Sequence, residues 1–110
     1  MNANSKQLIH KVQDGTLWIG FNRPEARNAL TFEMYDGLAS LCSAVQIGDD
    51  IKAVVIYGED GKAFAAGTDM AQFRSFKNEQ DALDYEDRLA DVFGKVEQCR
   101  VPTIAAINGA

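Results

Sequence analysis

These 110 residues predict an α/β architecture, a sheet layered against helices. Three observations carry the prediction. Thr16 to Phe21, Ala53 to Tyr57 and Thr103 to Ile107 are β-branched or apolar runs too short for helices. Two longer segments between them repeat apolar residues at helical spacing. Successive buried runs are therefore joined by long crossovers, the arrangement that pairs strands in parallel through right-handed β-α-β connections.

The first two strands read as Gln7 to Gln13 and Thr16 to Phe21, joined by Asp14-Gly15. A tight hairpin turn needs positive φ, which glycine adopts without steric cost. Leu8, His10 and Val12 share one face of the first strand and Ile9 lies on the other. Asn22 to Asn28 is polar, contains Pro24 and reads as a structured loop. Thr31 is the expected N-cap of the first helix, with Glu33 in its first turn and Gly48 as its stop. Met34, Leu38, Leu41, Cys42 and Val45 form its apolar stripe, in which Gly37 costs about 1 kcal/mol relative to alanine. Ala53 to Tyr57 is expected to be covered on both faces, as parallel strands are, and Gly58 to Gly61 is a surface turn. A short helix is expected over Met70 to Phe76, with Met70 and Phe73 sharing a face. Asn78 caps the second long helix, and Glu79 and Asp81 suit the positive end of its dipole. Its stripe is Ala82, Tyr85, Leu89, Val92, Phe93 and Val96; Asp84 with Arg88, and Asp91 with Lys95, are i,i+4 pairs on its wet side. Thr103 to Ile107 is the last buried strand, ahead of Asn108-Gly109-Ala110.

Composition narrows the function classes. With 46% hydrophobic and 25% charged residues, the chain has the make-up of one folded domain. Eleven Lys and Arg against 16 Asp and Glu give a formal net charge of −5, and the densest charge, Glu79 to Asp91, is acidic, which speaks against nucleic acid. No apolar run approaches the ~20 residues that span a bilayer, and no signal-peptide core follows Met1 to Lys6; a cytoplasmic protein without membrane contact is expected. Cys42 and Cys99 form no disulfide framework, and with one histidine, His10, they offer no metal-ligand spacing. The last strand has nothing after it to cover its second face, which is how a fragment ends.

Several catalytic motifs fail. Gly58-Glu-Asp-Gly61-Lys62 follows a strand, but a phosphate loop needs its first glycine where Ile56 stands and a hydroxyl where Ala63 stands. Asp60 occupies the middle glycine of a dinucleotide fingerprint, and there is no G-x-S-x-G elbow. His10 has no acid near it in sequence and reads as a strand histidine; Cys42 reads as packing. What remains is Ala65-Ala66-Gly67-Thr68-Asp69. Small residues at a strand-to-helix junction let a ligand approach the main chain, and outward N–H groups there suit a developing oxyanion. Spacing alone leaves a second reading, in which small residues permit tight packing and Asp69 caps the next helix.

Four motifs occur in one order: Asn22-Arg-Pro-Glu-Ala-Arg-Asn-Ala-Leu30, Ala53-Val-Val-Ile-Tyr-Gly58, Lys62-Ala-Phe-Ala-Ala-Gly-Thr-Asp-Met70 and Val101-Pro-Thr-Ile-Ala-Ala-Ile-Asn-Gly109. Together they resemble the enoyl-CoA hydratase/isomerase, or crotonase, superfamily, from about Leu8 to Ala110. The resemblance implies a ClpP/crotonase-like layered spiral sheet flanked by helices, with residues 1–110 the N-terminal, incomplete part of a single domain. It implies that the loop like N-R-P-x-x-x-N-A-L brings Ala26, Arg27 and Ala29 to coenzyme A, Arg27 being suited to a nucleotide phosphate. In the A-G-x-D motif, the residue after glycine, Thr68, donates one oxyanion-hole N–H through its backbone, so its side chain is expected to matter little. Ala66 and Gly67 approach the coenzyme through their backbone. Asp69 and Met70 line the acyl side, a helix cap remaining the other reading of Asp69.

The implied activity is enoyl-CoA hydration, with two N–H dipoles holding the thioester oxygen while an enolate forms. The glycine of the second N–H and the two acid/base glutamates of such hydratases normally follow the I-N-G-A segment. None of Glu25, Glu33, Glu59, Glu79, Glu86 and Glu97 matches them. Other implied possibilities are double-bond isomerisation, carnitinyl-CoA dehydration, thioester hydrolysis and decarboxylation; a hypothesis of a different class is a noncatalytic fragment or interaction module. No cofactor is implied, since coenzyme A enters as part of the substrate. Fatty acid metabolism and a homotrimer or dimer of trimers are the implied setting. Phe73 and Phe76 are candidates for an apolar acyl site or for core.

Overall fold

A computed structural model describes residues 7–46, 48–69 and 76–107. The sequence-predicted hairpin opens it. Strands β1 (Leu8–Gln13) and β2 (Thr16–Phe21) pair antiparallel across Asp14-Gly15, both at positive φ. Strand β3 (Ala53–Gly58) runs parallel to β2, with Ile19 opposite Ile56, and β4 (Thr103–Ala106) parallel to β3, giving the order β1-β2-β3-β4.

Two helices make the crossovers. Helix α1 (Phe32–Ala44) starts where Thr31 Oγ1 accepts the Met34 N–H at 3.2 Å, and α2 (Glu79–Glu97) where Asn78 Oδ1 accepts the Asp81 N–H at 3.0 Å. The Asp81 carboxylate in turn accepts the Lys77 N–H at 2.7 Å, so one donor that the helix leaves unpaired and the N–H just ahead of the cap are both satisfied. Helix α1 stops at Val45, three residues before Gly48.

The core lies on one face of the sheet. Leu8, Leu17, Ile19, Phe21, Val54 and Ile56 meet Met34, Leu38 and Cys42 of α1 and Val92 of α2. Tyr35, absent from the stripe read in sequence, is buried too, because α1 packs against α2 as well as against the sheet.

Several expectations are corrected. Strand β3 is fully covered on one face only: Val54 and Ile56 are buried, whereas Ala53, Val55 and Tyr57 are half-buried on the face where Tyr57 meets Trp18 edge-on. Strand β4 is not buried, with Ile104 52% exposed and Ile107, just past its end, 67% exposed, since among the described residues it is a sheet edge bonded to β3 alone. On α2, Ala82 and Phe93 of the predicted stripe are exposed. Arg88 does not pair with Asp84. It reaches across to Asp36 of α1 and lies 4.7 Å over the Phe32 ring, while Asp84 accepts from Gln80. The Lys95–Asp91 pair forms as expected, at 3.0 Å.

His10 remains a strand residue opposite Ile19, its Nδ1 buried without a partner among the described residues. Cys42 and Cys99 are free thiols. Gly58 to Lys62 is a surface turn, the Gly61 N–H reaching Gly58 O and the Lys62 N–H reaching Asp60 Oδ1. Among the described residues no helix is long and apolar enough to cross a membrane, and no group of His, Cys, Asp or Glu is placed to hold a metal ion.

Candidate active site

The loop after β2 and the segment after β3 are separate in sequence and stapled together in space. A single 3-10 turn (Pro24–Ala26) is closed by Arg27 and Asn28, both in the left-handed region at φ 53° and 60°. Asparagine tolerates that region through short-range polar contacts. Asn28, 1% exposed, accepts the Arg23 N–H on Oδ1 at 2.7 Å and donates from Nδ2 to the Ala63 carbonyl at 2.8 Å. The close approach depends on Gly58, where a Cβ would stand 2.1 Å from Ala63 O.

Arg23 makes the second staple. Its guanidinium donates to Ala29 O at 3.0 Å and pairs with the Asp69 carboxylate at 2.8 Å, both side chains being largely shielded from water. Asp69 is thus occupied by a tertiary ion pair. The short helix it was expected to cap, together with Met70 and Phe73, lies outside the described residues.

The third staple fixes a peptide plane. Leu30 bridges Thr68 in parallel fashion: the Leu30 N–H donates to Gly67 O at 2.7 Å, and the Asp69 N–H donates to Leu30 O at 2.9 Å. The Gly67 carbonyl and the Thr68 N–H belong to the same trans peptide, so they point in opposite directions. With the carbonyl held by Leu30, the Thr68 N–H is turned away from the 22–30 loop. Gly67 has φ 86° and open space around its Cα, a conformation that a larger residue rarely adopts.

The Thr68 side chain, expected to matter little, is engaged. Its Oγ1 lies 2.6 Å from the Tyr35 hydroxyl and accepts from the Tyr85 hydroxyl at 3.2 Å. Burial pushes the Tyr35 phenol above its ordinary value of 10.0; the bond to Thr68 offsets this in part and Tyr85 adds to it, so Tyr35 is neutral at physiological pH. Tyr85 stands between Phe32 and Phe76, with ring centroids 5.4 and 5.7 Å away. These three rings, with Asp81, Asp84 and Arg88, line a cleft of about 230 Å³.

The other residues singled out in sequence sit as follows. Ala26 and Ala29 are half-buried on the loop, Arg27 is exposed beside them, and Ala66 and Gly67 are exposed on the segment leading to Thr68. The structure therefore brings Ala26, Arg27 and Ala29 into the same stapled unit as Thr68 and Asp69. Sequence reasoning missed Tyr35, Tyr85, Arg23 and Asn28 as site-building residues. Tyr85 carried a signal, its place on the α2 stripe, but no local pattern reveals which hydroxyl it meets.

Comparison with known proteins places this arrangement. The family model for enoyl-CoA hydratase/isomerase matches residues 11–110. The chain belongs to that family. It is 40% identical over 108 residues to a Mycobacterium tuberculosis protein named probable enoyl-CoA hydratase EchA14, covering 98% of this chain and 41% of that one. It is 26% identical over 91 residues to carboxymethylproline synthase of Pectobacterium carotovorum, covering 83% of this chain and 36% of the synthase. The crystal structure of an enoyl-CoA hydratase/carnithine racemase from Magnetospirillum magneticum superposes with TM-score 0.86 at 28% identity, over 94% of this chain and 39% of that one. The fold is crotonase-like, and the chain spans about two fifths of the length of these relatives.

Proposed function

We propose that residues 1–110 are the N-terminal part of a single crotonase-fold domain of an enoyl-CoA hydratase, which adds water to 2-enoyl-CoA thioesters. One observation carries this reading: the Gly67–Thr68 peptide is held by Leu30 so that the Thr68 N–H faces away from the loop. As an enolate forms, charge grows on the thioester oxygen, and a fixed N–H dipole is worth more to that transition state than to the ground state. The Leu30 N–H that binds the Gly67 carbonyl also polarises the peptide, strengthening the donor at its other end. The second donor and the two acid/base carboxylates of the hydratase reaction match no residue of this chain.

Coenzyme A lies along the stapled unit in this reading. Arg27, whose guanidinium makes no ion pair among the described residues, takes a phosphate; Ala26, Ala29, Ala66 and Gly67 offer backbone. Asp69 and Met70 border the acyl side, and the Asp69–Arg23 pair keeps loop and donor segment together. Coenzyme A arrives as part of the substrate, without a separate cofactor. The working assembly is a homotrimer or a dimer of trimers.

A sister reaction is the second reading, favoured by the fact that one relative is named a carboxymethylproline synthase and not a hydratase. The test is hydration of crotonyl-CoA by the full-length protein, followed by loss of the conjugated thioester absorbance. Saturable loss is the expected result. Saturable thioester binding without hydration moves the chemistry to a sister reaction, and absence of binding overturns the reading in favour of a noncatalytic module.

A further inference from the structure

Three hydroxyls from three distant parts of the chain meet behind the proposed oxyanion donor: Tyr35 from α1, Tyr85 from α2 and Thr68 between β3 and α2. A threonine hydroxyl has one proton and two lone pairs. It can accept from Tyr85 while donating to or accepting from Tyr35, so both phenols are accommodated at once. Threonine is also β-branched and stiff at χ1, so fixing Oγ1 fixes Cα and the peptide that precedes it.

That peptide's other anchors are both backbone bonds to Leu30, one at the Gly67 carbonyl and one at the Asp69 N–H. Leu30 holds the Gly67 carbonyl, yet Gly67 is the residue whose backbone rotates most freely, and its neighbourhood is open. The tyrosine pair adds a side-chain anchor at Thr68 itself, between those two bonds.

We propose that Tyr35 and Tyr85 are positioning residues for the oxyanion donor: their hydroxyls, meeting on Thr68 Oγ1, hold the Gly67–Thr68 peptide at the angle that aims its N–H at the thioester oxygen. The proposal rests on the hydratase reading of this site. It makes the side chain at position 68 part of the machinery, where the sequence pointed to the backbone alone. It also makes the packing of α1 on α2 a determinant of catalytic geometry.

The tyrosine rings are held independently of their hydroxyls. Tyr35 packs edge-on against Phe93 at 6.0 Å, and Tyr85 is flanked by Phe32 and Phe76. Tyr35→Phe and Tyr85→Phe therefore remove the hydrogen bonds and leave the packing. In the full-length protein, with crotonyl-CoA as substrate, each is expected to lower kcat about 3- to 10-fold with KM changed less than about 2-fold, the signature of an interaction made more strongly in the transition state. The double variant is expected to lose less than the product of the two single losses, because both act through one oxygen. Thr68→Val is expected to fall with them, and Thr68→Ser, which keeps the hydroxyl, to recover most of the loss.

A lowered melting temperature with kcat unchanged in all three hydroxyl-deleting variants assigns the cluster to stability and overturns the proposal. A rise in KM at constant kcat overturns it also, by making the cluster a ground-state binding feature. If the unaltered protein turns over no CoA thioester, the hydratase reading fails, and the positioning role falls with it. If the unaltered protein is active and the variants are indistinguishable from it, only the positioning role fails.

Discussion

Asn28 shows how much of the site rests on one side chain. Its two hydrogen bonds satisfy the Arg23 N–H and the Ala63 carbonyl, and its backbone sits at φ 60°. Replacing it by alanine leaves both groups unpaired in a buried setting, at about 1–3 kcal/mol each. We expect Asn28→Ala to lower unfolding free energy by about 3 kcal/mol in denaturant titration, and Asn28→Gly, which suits the φ, to recover less than about 1 kcal/mol of it. Recovery of the whole loss by glycine would show that backbone strain, not hydrogen bonding, is what Asn28 relieves. The neighbouring Arg27 separates binding from stability in the opposite sense. Its left-handed φ of 53° carries strain of about 1–2 kcal/mol that glycine lacks, while its exposed guanidinium is the proposed phosphate partner. Arg27→Gly is expected to leave the melting temperature unchanged or higher and to raise KM for CoA thioesters about 10-fold or more. A thioester truncated before the nucleotide is expected to show no such change; an equal effect on it would remove Arg27 from the phosphate. Both residues were legible as members of a structured loop, but the carbonyl that Asn28 holds is 35 positions away, beyond any local pattern.

Among the elements, what the sequence revealed is what neighbouring residues decide. The hairpin at Asp14-Gly15, the caps at Thr31 and Asn78 and the Lys95–Asp91 pair all depend on residues within a turn of one another. What it concealed depends on docking. Tyr35 is buried and Arg88 abandons Asp84 because α1 and α2 face each other, a fact absent from either helix taken alone. Docking sets two further expectations. Gly58 ends β3 against the Ala63 carbonyl, and a Cβ there meets backbone at 2.1 Å, which no side-chain rotation relieves. Gly58→Ala is expected to destabilise by about 1–3 kcal/mol and to impair turnover as well, since the displaced segment leads to Thr68. A stable, fully active variant would show that the 63–69 segment is not rigidly placed. On α1, burial, with the nearby Cys99 thiol adding to it, pushes the Cys42 thiol from 9.0 up to about 12. A group whose pKa is raised in the folded state contributes stability below its unfolded value, and that contribution fades as pH rises from about 9 toward 12. Tyr35 shifts in the same direction, so alkaline pH works against the α1 packing from two positions. Denaturation midpoints measured from pH 7 to about 10.5 should fall above about pH 9, less steeply in Cys42→Ala than in the parent. Parallel slopes in the two proteins would discard Cys42 as a source.

Across these 110 residues, about two fifths of the length of the relatives, burial is uneven in a way that predicts association of this stretch taken alone. One face of the sheet is closed by the two helices, whereas among the described residues β4 is an edge, with Ile104 on it and Ile107 just past its end open to solvent. An apolar edge strand presents unpaired N–H and carbonyl groups beside a hydrophobic surface, which is a template for pairing with another chain. At the other edge, β1 carries Lys11 beside exposed Val12, the kind of charge that blunts such pairing. The net charge of −5 opposes indiscriminate aggregation, so the competition is between long-range repulsion and a short-range patch. Repulsion weakens with salt, its range shrinking to about 8 Å at physiological ionic strength, while apolar contact does not. The 110-residue chain is therefore expected to bind a hydrophobic dye and to sediment as more than a monomer, increasingly so as salt is raised. Ile104→Thr with Ile107→Thr keeps β propensity while removing apolar surface, and neither residue belongs to the core. The double variant should bind less dye and sediment closer to a monomer with its cooperative unfolding intact. Dye binding unchanged from the parent would move the sticky surface to α2, where Leu83 and Phe93 are also exposed. In that case β4 would be an edge protected by its own twist and shortness, and the helix would be the face that seeks a partner.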